Sequence, residues 1–384
     1  MKKVLWVNPS FLDYRIPLYG ELNKLLSGNF HLIYSKERIP KRCDDKIREV
    51  LGENAHPLEK EKHFTFGNTS SDFANSSLNI PIPSGLYRMI KDVRPNAILA
   101  EGFFQFTPWA VWYAWRHNIP LYIAYERTAH TERHCPAWRK IYRKFIGKFV
   151  TGYLANGSLT KEYLISQGVK PEQIQTGGMC ADSKGLANAV KALSSEEIAD
   201  FKKKIVGETP CELSYVLVGR MIARKGVNHA LAGWMKHIKM YPNDKLILIG
   251  DGPLLDEYKT EYTHPSIIFT GGIDYREIHK YYAIADVFFI ATLEDNWSLV
   301  VPEAMACGLP IACSIYNGCH PELVHFGENG ITFDPLNIQS VVNAFQYFHS
   351  IYLRTFSDKS IKLEERFNPE NVALNVMNLL GIKN

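Results

Sequence analysis

Short apolar runs bounded by glycine, proline or polar loops recur along the chain, and stretches with apolar residues at helical spacing separate them. Val4–Val7, Phe30–Tyr34, Ala97–Ala100, Leu121–Ala124 and Tyr153–Ala155 read as buried strands in the first half. Tyr215–Val218, Leu246–Ile249, Ile267–Phe269, Val287–Ile290 and Ile311–Cys313 do so in the second. Helices are predicted around Pro17–Leu26, Ile82–Val93, Thr107–His117, Ala137–Val150, Ser158–Gln167 and Ser183–Glu208, from Val227 onward, and at Ile338–Arg354 and Pro369–Leu380. Strands alternating with helices define an α/β protein with parallel sheets. Residues 36–80 mix charges with Gly, Asn and Ser, and are expected to form an irregular excursion with at most short elements.

The most informative stretch is Asp286–Ser314, which reads strand, loop, short helix, strand. Ser298 is a natural N-cap, Pro302 falls in or near the first turn, and Gly308 with Leu309-Pro310 is a stop signal. N–H groups around Ser298, Leu299 and Val300, with the positive end of the helix dipole behind them, suit a phosphate. Glu303 projects from the same end, where its carboxylate can accept two hydrogen bonds from a vicinal diol such as a ribose; the plainer reading is a first-turn acid favoured by the dipole.

Other loops of the second half add to this site. Tyr215–Val218 runs directly into a loop with Arg220 and Lys225, two cations placed to hold a diphosphate. The spacing is not that of a P-loop. Gly250 and Gly252 follow one strand, and Gly271, Gly272 and Ile273 another, where small residues let a ligand approach the backbone, although each glycine alone marks only a tight turn. Four strand ends, near Gly219, Gly250, Gly271 and Thr292, therefore converge on one crevice expected to hold a nucleotide.

In the first half, the loop after the first strand presents Asp13, Tyr14 and Arg15, and the strand at Ala97–Ala100 ends at Glu101-Gly102. Asp13, Tyr14, Arg15 and Glu101 are candidates to touch a substrate; the plainer reading of the first three is a solvated loop. The strand Leu121–Ala124 delivers Tyr125, Glu126, Arg127, His130, Glu132, Arg133 and His134 into one loop, where Glu126 and His130 are candidates for a place near a bound sugar or, equally, structural groups of the loop. The run Thr107–His117, rich in Trp and Tyr, reads as core rather than as a stacking platform. Ala137–Val150 carries Trp138, Tyr142, Phe145, Ile146 and Phe149 among Arg139, Lys140, Arg143, Lys144 and Lys148. This basic amphipathic pattern has two readings: a helix lying on an anionic membrane surface, or one with its aromatics packed inward and its lysines in water.

At 384 residues the chain exceeds one ordinary core, so two domains are expected. With 46% hydrophobic and 22% charged residues it reads as globular, and a net charge of +4 is too small to argue for nucleic acid. Asn8-Pro9 interrupts the N-terminal apolar run before a signal-peptide core forms, and no run reaches the ~18 residues of a membrane span. A cytoplasmic location follows, with peripheral contact at the inner face of the membrane under the first reading of 137–150. Seven cysteines without paired close spacing suit a reducing compartment, and Cys307, Cys313, Cys319 and His320 lack the spacing of a zinc site, so no metal is expected.

Arg220 with Lys225, the segments Gly250–Pro253, Phe269–Gly271, Ala285–Val287 and Glu303–Pro310, in this order, resemble the retaining nucleotide-sugar glycosyltransferases of family 4. The resemblance covers nearly all of 213–335; in the first half it is loose, resting on Ser158–Ile174 and Asp182. It implies a GT-B fold of two facing Rossmann-like domains with an interdomain cleft: 1–184, joined by a crossover helix in 366–384, would bind the acceptor, and 185–365 the nucleotide sugar. It further implies that Arg220 and Lys225 neutralise the leaving diphosphate and that Glu303 binds the ribose. The family has two glutamates flanking seven residues in this stretch; here the first position is Asp295, preceded by Glu294, and either carries the acid that contacts the donor sugar.

The expected reaction is transfer, with retention, of a sugar from a UDP- or GDP-linked donor to a glycan or polyprenyl-linked acceptor, in bacterial surface polysaccharide assembly (lipopolysaccharide O-antigen or capsule), with no metal or other cofactor. A phosphate oxygen of the leaving group would take the acceptor proton, so a protein base is not obligatory. Two alternatives share the fold: a nucleotide-sugar epimerase, and a catalytically silent nucleotide-sugar-binding subunit suggested by Asp295.

Overall fold

The computed structural model describes residues 2–67, 73–75, 77–181 and 183–382; Asp182 lies outside the described residues. The chain forms two compact units, Met1–Asp182 with Phe367–Asn384, and Ser183–Arg366.

Unit 1 is built on the strands β1 (Val4–Val7), β2 (Phe30–Ser35), β3 (Ala55–Leu58), β4 (Lys62–Gly67), β5 (Ser77–Ile82), β6 (Ala97–Glu101), β7 (Leu121–Tyr125), β8 (Gly152–Ala155) and β9 (Ile174–Gln175). Seven of them form one parallel sheet in the order β3-β2-β1-β6-β7-β8-β9. Strand periodicity sends alternate side chains to opposite faces. Val4 and Trp6 join a core that includes Leu18, Leu22, Ile47, Val372 and Val376, while Leu5 and Val7 join one that includes Leu86, Ile90, Ala110 and Ile146. The helix Pro369–Leu379 thus belongs to the first core although it is last in sequence.

Unit 2 contains β10 (Ser214–Val218), β11 (Lys245–Ile249), β12 (Ile267–Gly271), β13 (Val287–Ile290), β14 (Ile311–Ser314) and β15 (Gly330–Phe333). Its parallel order β12-β11-β10-β13-β14-β15 is that of a doubly wound sheet. β10, which lies beside both β11 and β13, marks the switch point where the winding reverses.

Several expectations require correction. The segment 36–80 is not irregular: it holds the eleven-residue helix Lys41–Leu51 with Cys43, Ile47 and Leu51 buried, the strand β3, and the antiparallel ribbon β4–β5. The helix expected from Ile82 starts at Leu86, because Ile82 belongs to the ribbon and Gly85 enters the helix at φ 88°. Ser183–Glu208 is two helices, Ser183–Ala192 and Ser195–Val206. Ser194 restarts the chain with a capping box: its hydroxyl accepts from Glu197 N and its own N–H donates to the Glu197 carboxylate. The helix expected at 338–354 stops at Tyr347, and a separate helix spans Leu353–Glu364. In Thr107–His117 the buried face is Ala110, Val111, Tyr113 and Ala114, whereas Trp112 and Trp115 are exposed. Among the described residues no helix is long and apolar enough to cross a membrane.

Candidate functional site

In unit 2 the strands β12, β11, β10 and β13 are neighbours and run in parallel, so the loops near Gly271, Gly250, Gly219 and Thr292 leave the same carboxyl edge. The loop after β10 passes exposed Arg220, makes a 3₁₀ turn Ala223–Lys225, and enters the helix Val227–His237 through Gly226 at φ 63°. A Cβ on Gly226 would lie 2.1 Å from the Ala291 carbonyl oxygen, so only glycine lets this turn press against the end of β13. Arg224 donates to the Glu294 carbonyl at 3.1 Å, and the Thr292 hydroxyl donates to the Arg224 carbonyl at 3.1 Å.

Lys225 Nζ sits 2.6 Å from Asp295 Oδ2. Burial alone would raise the Asp295 carboxyl; Lys225, then the Ser298 hydroxyl and Arg224, outweigh it and hold the group below the usual carboxylate value. Its Oδ2 also accepts from Ser298 Oγ at 2.8 Å, and its Oδ1 from the Trp297 N–H at 3.2 Å. Asp295 therefore fixes the loop, while the Glu294 side chain is buried.

Two site expectations change here. Ser298 is not the N-cap of the following helix, Val300–Ala306, whose N-cap is Leu299, because the Ser298 hydroxyl is committed to Asp295. The Ser298 N–H goes to Asn317 Oδ1 at 3.2 Å, which leaves Leu299 and Val300 as the other backbone donors proposed for a phosphate. Gly250 and Gly252 also serve a closer purpose than ligand access: a Cβ on Gly250 would lie 1.8 Å from the Gly219 oxygen, and one on Gly252 2.5 Å from the Met221 oxygen. They let two loop backbones touch. Gly272 is exposed and its Cβ would make only an ordinary contact, and Ile273 is half-buried beside it. Glu303, in the first turn of its helix, accepts from the exposed Tyr275 hydroxyl at 3.1 Å.

In unit 1 a cavity of about 410 Å³ brings together Tyr14, Arg15, Glu101 and Glu126, with Phe103, Phe104, Tyr125 and Arg127 among its other walls. His130 does not line it. Arg15 is buried and pairs with Glu101 at 3.3 Å, and Trp6 Nε1 donates to the same carboxylate at 3.1 Å. Burial raises the Glu101 carboxyl above its ordinary value despite Arg15, and the nearby Glu126 adds to the rise. Asp13, by contrast, is held by Arg42 and Lys46 of the helix Lys41–Leu51.

Arg139 and Arg143, read from sequence only as part of a basic amphipathic pattern, also line that cavity, as do Asn75 and Ser77. The helix Ala137–Gly147 matches neither reading of its pattern in pure form. Arg139, Arg143 and Ile146 are buried, whereas Trp138, Ile141 and Phe145 are 49%, 69% and 54% exposed beside exposed Lys144. The legible signal was the separation of arginines at 139 and 143 from lysines at 140, 144 and 148. A guanidinium tolerates burial against acceptors better than a strongly hydrated ammonium.

The seven cysteines are free, and burial, with Glu303 and Glu364 nearby, pushes the Cys307 thiol up to about 12. Among the described residues one group, His237, Asp244 and His349, brings three potential ligand atoms within 4.8 Å of one another. The Asp244 Oδ2 lies 2.8 and 2.7 Å from the two imidazoles, hydrogen-bond distances that tie two helices to the start of β11.

The fold is α/β, built from two Rossmann-like halves with parallel sheets. Residues 212–350 match the family described as Glycosyl transferases group 1. That match covers a little over a third of the chain and lies within unit 2, while the likeness of the whole chain to solved structures is one of fold. An alpha-monoglucosyldiacylglycerol synthase of Acholeplasma laidlawii is 33% identical over 145 residues, 37% of this chain and 36% of that protein. A sulfoquinovosyl transferase of Arabidopsis thaliana is 29% identical over 124 residues, 32% of this chain and 24% of that one. The chain thus spans well under half the length of these two curated relatives. Among solved structures, Anabaena HepE in complex with UDP superposes with a TM-score of 0.73 at 15% identity over 99% of both chains. The lipopolysaccharide outer core galactosyltransferase WaaB does so with a TM-score of 0.68 at 14% identity, over 98% of this chain and 99% of that one.

Proposed function

We propose that the protein transfers a sugar from a nucleoside-diphosphate sugar, with UDP as the first candidate nucleotide, to a hydroxyl of a lipid-linked or glycan acceptor, with retention and without a metal. The observation that carries this reading is the shared carboxyl edge of four adjacent strands in unit 2, where Arg220 and Lys225 stand on the loop after β10 and Glu303 in the first turn of the helix that follows β13. Cleavage of the anomeric carbon–phosphate bond builds negative charge on the leaving diphosphate, and fixed cations aimed at it lower the barrier. Arg220 is free to turn toward that charge, Lys225 is already positioned by Asp295, and Glu303 accepts from the ribose hydroxyls once Tyr275 yields. The cavity of unit 1 holds the acceptor, with Arg15, Tyr14, Glu101 and Glu126 around its hydroxyls.

A lipid-linked acceptor is favoured by the outward Trp138, Ile141 and Phe145 with Lys144, an apolar stripe edged by cations that suits an anionic bilayer surface. The likeness of part of the chain to an alpha-monoglucosyldiacylglycerol synthase supports the same choice. We place the enzyme at the inner face of the cytoplasmic membrane, in assembly of bacterial surface polysaccharide.

A thermal-shift panel of nucleoside diphosphates and their sugars on the purified chain, followed by an assay of sugar-dependent nucleotide release, tests the reading. One nucleotide should stabilise the protein, and Arg220→Ala and Glu303→Ala should each abolish the shift. No stabilisation by any nucleotide would sink the proposal; binding with no release in the presence of diacylglycerol or polyprenyl-phosphate acceptors would turn it into the silent-subunit reading.

A further inference from the structure

The unit 1 cavity contains more cationic donors than an uncharged sugar can use. Four arginines, Arg15, Arg127, Arg139 and Arg143, line it against two glutamates, Glu101 and Glu126. Glu101 answers Arg15, and Glu132, set behind the wall, pairs with both Arg143 and Arg127. Arg139 has no carboxylate among the described residues. Its guanidinium donates to Asn75 Oδ1 at 2.8 Å and to the Ser77 carbonyl at 2.9 Å, and its Nε–H is buried without a partner. Two neutral acceptors offset less of the desolvation of a guanidinium that is 7% exposed than an anion would. Burial, with Arg127 and Arg143 close by, accordingly pulls Arg139 below the usual arginine value.

The same wall holds further unsatisfied groups. Arg15 Nη1, Arg127 Nη1, Arg143 Nε and the Tyr125 hydroxyl are buried and unpartnered among the described residues. Each can donate, and each belongs to a residue lining this one cavity. Buried polar atoms of folded proteins are nearly always satisfied, so a concentration of orphan donors in one hollow marks the place of an absent acceptor. A carboxylate offers two oxygens and carries one charge. A phosphoryl group offers three terminal oxygens and more charge, and matches arginine forks in geometry.

We propose that this cavity seats a phosphoryl group, with Arg139 as its principal cation and Arg143, Arg127 and Tyr125 completing the donor set. The acceptor is then a phosphate-bearing molecule: the phosphate of a lipid headgroup or linker, or that of a phosphorylated glycan. This assignment of acceptor class rests on the transferase reading above, while the anion seat is tested without it.

The test is calorimetric titration of inorganic pyrophosphate into the full chain carrying Arg220→Ala, which weakens the competing phosphate site of unit 2. Adding Arg139→Gln should raise the Kd by about tenfold or more, the scale of one charge-assisted bidentate contact. Arg139→Lys keeps the charge but loses the fork, preserves the fold if Gln does not, and should fall between. Pyrophosphate binding that is absent, or equally tight in all three proteins, overturns the proposal. Flotation with phosphatidylcholine vesicles, with and without phosphatidic acid, separates the sources. Binding that needs both phosphatidic acid and Arg139 assigns the seat to a lipid headgroup, and Arg139-dependent pyrophosphate binding with Arg139-independent flotation assigns it to a glycan phosphate. Nucleotide binding is read in the same series on Arg220-containing protein. If no nucleotide binds while pyrophosphate still depends on Arg139, the transferase reading falls and the anion seat stands.

Discussion

Lys225 Nζ lies 2.6 Å from Asp295 Oδ2, so the cation expected to meet the leaving diphosphate is oriented by the residue at the expected place of a catalytic acid. The pair ties the loop after β10 to the loop after β13. Asp295→Ala should cost about 3 kcal/mol, because it strands a largely buried ammonium together with the Ser298 hydroxyl and the Trp297 N–H. Urea unfolding at neutral pH measures it, and an unchanged midpoint would show that the pair contributes nothing net.

The same carboxylate sets an acid limit. Its folded value lies below the ordinary 3.8, so its contribution is present above 3.8 and disappears as pH falls through the lower folded value. The wild-type and Asp295→Asn stability curves should therefore converge at the acid end. Parallel curves down to the lowest accessible pH would contradict the assignment.

A second pH response comes from unit 1. His31 Nδ1 and His56 Nε2 lie 3.0 Å apart with stacked rings, and burial, then His56, lowers His31 to about 4 from 6.5. Between these values the unfolded chain binds a proton that the folded chain refuses, so stability must fall as pH drops from 6.5 toward 4. The thermal midpoint should decline less across that window in His31→Phe than in the wild type. The opposite order would exclude this pair as the source.

Two glycines that look alike in sequence should behave differently. Gly250→Ala places a Cβ 1.8 Å from a backbone oxygen and at φ 143°, and should cost about 3 kcal/mol or more and abolish nucleotide-induced stabilisation. Gly272→Ala meets nothing closer than Asp251 Cβ at 3.6 Å and should stay within about 1 kcal/mol of wild type. Chemical denaturation of both variants decides whether loop-to-loop contact or ligand access fixes these positions.

The outward face of Ala137–Gly147 can be tested apart from the fold. Replacing Trp138, Ile141 and Phe145 together by Ser should leave the unfolding midpoint nearly unchanged, because all three are exposed, and should reduce flotation with anionic vesicles severalfold. Unaltered flotation would remove the membrane from this helix.

Sequence alone was a good guide wherever one physical signal dominated. The strands β10, β11, β13 and β14 of unit 2 are continuous apolar runs, as strands buried on both faces must be, and the loop that carries Arg220 and Lys225 lies directly after β10 as the sequence placed it. It failed where signals competed. The helix Lys41–Leu51 hides its buried seam of Cys43, Ile47 and Leu51 among charged residues, and the ribbon β4–β5 keeps Phe64, Phe66, Ile80 and Ile82 exposed, against the usual pattern. Arg139 and Arg143 were missed for a related reason: burial of arginine depends on acceptors such as Asn75, Ser77 and Glu132 that are distant in sequence.

The helix Pro369–Leu379 supplies Val372, Ala373, Val376 and Met377 to the core of unit 1, yet the ribosome makes it only after all of unit 2. During synthesis, unit 2 can close as soon as its own strands emerge, while unit 1 must wait with part of its apolar surface open until the last helix arrives. The half that forms first in sequence is therefore the half completed last, and the interval before that closure is when the chain is most open to chaperones, to proteases and to its own aggregation.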